Sequence, residues 1–228
     1  TAGLVVTPAA PGPLVLAENG ATDAYDIRLT SEPTDTITVN LTAVLGQVTF
    51  APAVLTFDAG NWNVDQNVVV TAVNDAIAET SPHFDTISHG VVAGSDATYG
   101  ALTPPDMNLE IADDDVAGYT VTATGADTTV TENGAGDTIE IVLTSQPLGD
   151  VTFDLPAVAQ VDAVQPSVTI VPGSWNVPVT VDVDAIDDFV VEGPHTGPLD
   201  VDPASPGDLA YDAMATQQHV VDVIDDDV

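Results

Sequence analysis

Cysteine and lysine are absent from the sequence, and Arg28 is its single arginine. Without cysteine there are no disulfide staples, thiol nucleophiles or thiolate metal sites. Without lysine there is no amine to activate a nucleophile, and no serine stands in a nucleophile-elbow context. Nucleic acids and anionic membrane surfaces are bound mainly through Lys and Arg, so a chain of net charge −35 is repelled by both. Aromatic residues make up only 5%, too few for stacking platforms. No apolar run reaches roughly 18 residues, and there is no basic leader or lipidation signal, so direct membrane insertion is not expected. The chain reads as mature protein or an interior fragment.

What is present is acid. The 228 residues carry 36 acidic side chains, 29 of them Asp. Hydrophobic residues nevertheless reach 44%, enough to bury real cores, so a folded chain is expected rather than a disordered one. Such a charge strains a compact fold at low ionic strength, which points to a setting rich in salt or divalent cations. Cations are the natural partner.

The chain repeats itself at about half its length. Glu18-Asn19-Gly20-Ala21 returns as Glu132-Asn133-Gly134-Ala135, and Leu29-Thr30-Ser31 as Leu143-Thr144-Ser145. Trp62 matches Trp175, Pro82-His83 matches Pro194-His195, and Tyr99 matches Tyr211. The triplet Asp113-Asp114-Asp115 matches Asp225-Asp226-Asp227. The spacing between copies narrows from 115 residues at Ala2 and Ala117 to 112 at Asp113 and Asp225, so length changes fall in loops, where they cost little. Two tandem domains are expected, 1–115 and 116–228, arranged end to end with further copies as neighbours.

Within each period apolar residues occupy every second position. Tyr25, Ile27 and Leu29, then Ile37, Val39 and Leu41, then Val68, Val70 and Ala72 are examples, with Ile139, Ile141 and Leu143 in the second copy. Clusters of Gly, Pro, Asn and Asp punctuate the runs, and no window keeps a helical period. The pattern predicts an all-β fold of two immunoglobulin-like antiparallel sandwiches, each with about seven strands in roughly 112 to 115 residues. Trp62 and Trp175 are expected as core plugs.

If alternate strands run the same way, their ends gather acids at one pole. Glu18, Asp75, Glu79, Asp113, Asp114 and Asp115 meet there in the first copy. Glu132, Asp187, Asp188, Glu192, Asp225, Asp226 and Asp227 meet in the second. Crowded carboxylates repel unless a cation intervenes. Calcium fits, taking roughly six to eight oxygens at flexible angles, whereas magnesium wants a tighter octahedron and keeps its waters. Zinc is a poor match without Cys and with one His per pole. His83 and His195 are read as loop histidines bonded to nearby backbone and left out of the metal set. A solvated acidic linker would also contain an Asp triplet, but recurrence at matching positions favours ligation.

These residues resemble the Calx-beta fold, a sandwich seen in sodium/calcium exchangers, integrin β4 and large bacterial cell-surface proteins of adhesin type. The resemblance spans Leu4 to Asp115 and Tyr119 to Asp227. It rests on a Glu ending the first strand, an acidic pair followed four residues later by Glu, and the closing Asp triplet. It implies calcium at the thirteen acids named above and an extracellular or cell-surface location. The chain departs from the family in the loop before strand D, where an Asp-Tyr pair is usual. No acid lies between Thr42 and Phe57, and Asp162 alone is available in the second copy. Asn74 also replaces the first acid of the pair.

Paired carboxylates serve glycosidases, but catalysis needs one cleft with differentiated groups, and here the acids recur identically in each copy. The chain is read as no enzyme. The leading expectation is a structural or adhesive repeat whose calcium ions stiffen the junctions of a rod. Self-association into an extracellular filament or surface layer, and a sugar- or protein-binding adhesin module, are the alternatives.

Overall fold

The computed structural model describes residues 1–158 and 160–228. The chain divides into two compact units, Thr1–Asp75 with Glu79–Asp114, and Ala76–Ala78 with Asp115–Val228. In the first unit the strands are β1 (Leu4–Pro8), β2 (Leu14–Ala17), β3 (Asp23–Leu29), β4 (Ile37–Ala43), β5 (Val48–Ala51), β6 (Val54–Phe57), β7 (Gln66–Ala72), β8 (His83–Val92) and β9 (Met107–Ala112). A one-turn helix α1 (Ala97–Gly100) precedes β9. The second unit has β10 (Tyr119–Ala123), β11 (Thr129–Thr131), β12 (Asp137–Leu143), β13 (Val151–Asp154), β14 (Val161–Ala163), β15 (Ser167–Ile170), β16 (Val179–Ala185), β17 (His195–Ala204), the turn α2 (Leu209–Asp212) and β18 (Gln217–Ile224).

Each unit is a sandwich of two sheets. The first has strand orders β1-β3-β7-β5 and β2-β9-β8-β4-β6, and the second repeats them as β10-β12-β16-β14 and β11-β18-β17-β13-β15. The fold class is all-β, as the alternation predicts. The inward residues of β3, β4, β7 and β9 are fully buried and form one core per unit. Burying one such aliphatic side chain contributes about 1.5–3 kcal/mol, which is why the pattern dictates the facing.

Nine strands per unit replace the expected seven among the described residues. The first predicted strand is broken by Ala9-Ala10-Pro11-Gly12-Pro13. Proline lacks an amide for the ladder, and Gly12 at φ +124° takes a conformation other residues resist. The chain therefore leaves one sheet, where β1 runs antiparallel to β3, and enters the other, where β2 runs parallel to β9. A second pair of short strands, β5 and β6, likewise splits between the sheets.

The tryptophans are not core plugs. Trp62 and Trp175 are half-buried and lie against the rim of their cores, because both sit in the turn before the β7 or β16 strand rather than on an inward strand position. Their carbonyls accept from the Leu29 and Leu143 amides at 2.8 and 3.2 Å.

The end of each sandwich away from the acids is clamped by a tyrosine. The Tyr99 hydroxyl donates to Ser31 O at 2.6 Å, and the Tyr211 hydroxyl donates to Ser145 O at 2.6 Å. Asp96 and Asp208 cap the adjacent helical turns. No helix among the described residues is long and apolar enough to cross a membrane.

Candidate metal centre

The parallel pairing of β2 with β9 builds the acidic pole of the first unit. Ala17 stands opposite Ala112, and the next amide, Glu18 N–H, donates to Ala112 O at 2.9 Å. Glu18 thus continues the inward alternation of Leu14 and Leu16 one step past the strand. Its carboxylate enters the end of the core, where the residue is 2% exposed. The second unit does the same with β11 and β18. Glu132 follows buried Val130, its amide donates to Ile224 O at 3.0 Å, and it is 1% exposed.

Because β8 is antiparallel to β9, with His83 opposite Ile111, the loop carrying Glu79 arrives at the same end. His195 stands opposite Val223 and brings Glu192. Glu18, Asp113 and Asp114 each place one carboxylate oxygen within 4.8 Å of the others. Glu132 belongs to two such oxygen-only groups, one with Asp187 and Asp226 and one with Asp225 and Asp227.

The central glutamates lack the hydrogen bonds that buried acids ordinarily find. Both carboxylate oxygens of Glu132 and Oε1 of Glu18 are buried without a hydrogen-bond partner. The other Glu18 oxygen accepts from the Asp75 amide at 3.4 Å. Burial pushes the Glu132 carboxyl above its usual range, with the charges of Asp225, Asp188 and Glu192 adding to the rise. Burial also raises Glu18, partly offset by the Asp75 amide. Asp227 is raised by burial and by Asp225 and Asp226.

Asp225 goes the other way. Its carboxylate accepts from the Gly193 amide at 2.6 Å, from Asp227 N at 2.8 Å and from Glu192 N at 2.7 Å, which holds it below the ordinary value. In the first unit Asp113 accepts from the Glu79 amide at 2.7 Å. These bonds aim the triplets inward over the glutamates.

Asp75 and Asp188 lie outside the close groups. Asp75 meets Glu18 through its amide, and Asp188 Oδ1 accepts from Val190 N at 2.7 Å, shaping the loop tip. Asp162 is exposed on β14, on the side turned away from the core. A glutamine occupies the loop position instead. Gln47 Nε2 donates to Glu79 Oε1 at 3.0 Å, and Gln160 Nε2 to Glu192 Oε2 at 3.2 Å. The Asp85 carboxylate, accepting from Leu45 N and Gln47 N at 2.9 and 3.0 Å, holds the first of these loops in place.

The backbone bond expected of the two histidine rings forms at His195 and not at His83. His195 Nδ1 does bond the Gly193 carbonyl at 2.9 Å, but its other nitrogen faces the acids. His83 has no backbone bond and stands between Glu79 Oε2 at 3.2 Å and Glu18 Oε1 at 3.7 Å. Glu18, Glu79 and His83 form one close group, and Glu132, Glu192 and His195 another. The recurrence of Pro-His and of Gln-Val at matched positions was the available signal for these residues.

No family model matches the chain. No curated protein matches it either. Among solved structures it is similar to CBD12 from CALX1.2, at 14% identity and TM-score 0.33, over 90% of this chain and 84% of that one. It is also similar to the calcium binding domain CBD12 of CALX1.1, at 14% identity and TM-score 0.34, over 88% and 81% of the two chains. The D0-D1 domain of intimin is similar at 12% identity and TM-score 0.31, over 96% and 97%. At these values the likeness bears on no residue of the site.

Proposed function

We propose that each sandwich is a non-enzymatic, calcium-binding module of an extracellular surface protein, and that calcium at the acidic pole stiffens the passage to the neighbouring module. The observation that carries this reading is Glu132, a carboxylate whose two oxygens are buried without partners and which belongs to two close groups of acids, one with Asp187 and Asp226 and one with Asp225 and Asp227. Glu18 repeats it in part in the other unit, where Oε1 alone is unpartnered and Oε2 accepts from the Asp75 amide. A buried charge without a partner is among the costliest groups a fold holds, and a divalent cation removes that cost. Backbone carbonyls and water complete the roughly six to eight oxygens calcium takes.

The Asp triplet is the last segment of each sandwich, and only Val116-Ala117-Gly118 separates the first triplet from β10. An ion that draws the triplet onto Glu18 restrains that short linker, so a chain of modules behaves as a rod while calcium is bound. Recurrence of most of the set in both units, Asn74 standing in place of Asp187, supports a structural role over catalysis, which requires one differentiated cleft.

The test is a melting curve in EDTA against millimolar calcium, with magnesium at equal ionic strength. A calcium-specific rise supports the reading, and equal small shifts with both ions refute it. A second reading has one observation in its favour. Phe189, Val190 and Val191, between Asp188 and Glu192, are exposed, Phe189 to 87%. Such a tip favours self-association into a filament or layer, and sedimentation velocity with and without calcium separates the two.

A further inference from the structure

The oxygen-only groups leave the histidines without a role. His195 Nδ1 lies 2.9 Å from Gly193 O, and a carbonyl only accepts, so that nitrogen carries the proton. In the neutral ring the lone pair then lies on Nε2. That atom is buried, has no hydrogen-bond partner, and stands 3.5 Å from Glu192 Oε2. Glu132, 1% exposed and unpartnered at both oxygens, supplies the third donor of a group whose atoms all lie within 4.8 Å of one another.

Glu192 takes its hydrogen bonds from the Gln160 amide. One atom from each of the three side chains lies within 4.8 Å of the other two. The first unit repeats the set with Glu18, Glu79 and His83, neither of whose ring nitrogens has a hydrogen-bond partner.

We propose that each sandwich carries a second cation position beside the oxygen-only one, formed by His195 with Glu132 and Glu192 and by His83 with Glu18 and Glu79, and that it takes a transition-metal dication of the zinc class. Calcium prefers oxygen, whereas imidazole suits zinc and its first-row neighbours. Ligands of a tetrahedral zinc ion at about 2.0–2.1 Å stand roughly 3.4 Å apart, and the His195–Glu192 pair already stands 3.5 Å apart. A backbone carbonyl on the far nitrogen is also the support that orients metal-bound imidazoles. With its two oxygens, Glu132 reaches both cations as a bridge. The position does not rest on the calcium reading, although both use the central glutamates.

The test is a titration of the full chain with Co2+ in millimolar calcium, read by visible absorption and equilibrium dialysis. The expected result is two Co2+ per chain with the strong absorption of low-coordinate, nitrogen-ligated cobalt, displaced by Zn2+. His195→Gln and His83→Gln each reduce this to one, and the double variant to none. Unchanged cobalt binding by the double variant overturns the proposal, as does an unaltered protein that takes none. Proton NMR of the unaltered chain provides a control independent of variant folding. The ring signals of His83 and His195 move on addition of Zn2+ while those of His89 and His219 stay, and failure of the first pair to move overturns the proposal. A missing calcium-specific melting shift alongside intact cobalt binding counts against the calcium reading alone.

Discussion

Replacing Glu132 by Gln is expected to act with opposite sign in the presence and absence of calcium. The side chain is buried, finds no hydrogen-bond partner, and faces Asp187, Asp225, Asp226 and Asp227. Without metal its charge is opposed by burial and by Asp225, Asp188 and Glu192, with His195 alone acting the other way, so the neutral amide removes repulsion and the melting temperature rises. On the proposed reading it would ligate calcium through two oxygen-only groups, and the amide would forfeit them. A site of Kd about 10⁻⁴ M in 1 mM calcium contributes about 1.4 kcal/mol. For a unit of about 110 residues, 1 kcal/mol shifts Tm by roughly 4 °C, so one ion raises it by about 6 °C and two by about 11 °C. Glu132→Gln should abolish most of that gain in the second unit while the first keeps its own. Calorimetry in EDTA, calcium and magnesium reads both effects. Equal loss of stability in EDTA and in calcium would mean that Glu132 is a structural residue, and the reasoning would fail.

Other outcomes follow from the same geometry. The native carboxyls of Glu18 and Glu132 titrate above 4.5, so the folded chain holds protons there that the unfolded chain has released. In EDTA their contribution to stability therefore increases as pH falls from neutral through the raised native values toward 4.5, and is lost again as pH rises. In calcium, protons displace the ion, so the gap between the two melting curves should close on acidification, and a gap independent of pH would contradict this. Tyr211→Phe removes the hydroxyl that donates to Ser145 O at 2.6 Å and accepts from Ser145 N at 3.2 Å, at the opposite end of the sandwich. It should cost about 1–3 kcal/mol in urea unfolding and leave the calcium shift intact. Phe189→Ser should abolish any calcium-dependent association seen by sedimentation, and association unchanged by it would place the contact elsewhere.

Much of the architecture was readable along the chain. Strict alternation of Tyr25, Ile27 and Leu29, or of Ile139, Ile141 and Leu143, assigns strand and inward face together, because side chains on a strand alternate sides. The duplicate of every landmark made the two-fold repetition plain. The site was readable as a population of acids, since Asp and Glu cluster after strand ends in both copies. It was not readable as a constellation. Asp75 and Asp188 act on the central glutamates through their charges without joining the close groups, and His83, His195, Gln47 and Gln160 also enter the pole.

The difference is one of range. Strand character, facing and repetition are local properties, carried by neighbours two residues apart and by matching stretches of sequence. Which carboxylates share a space depends on pairings across the chain. The break at Ala9–Pro13 shifts β2 into the second sheet, and the parallel ladder then sets Glu18 beside Asp113, 95 residues later. Only that placement turns a glutamate at the end of an ordinary alternation into a buried, unpartnered charge, because burial belongs to the packed sandwich and not to the strand that enters it.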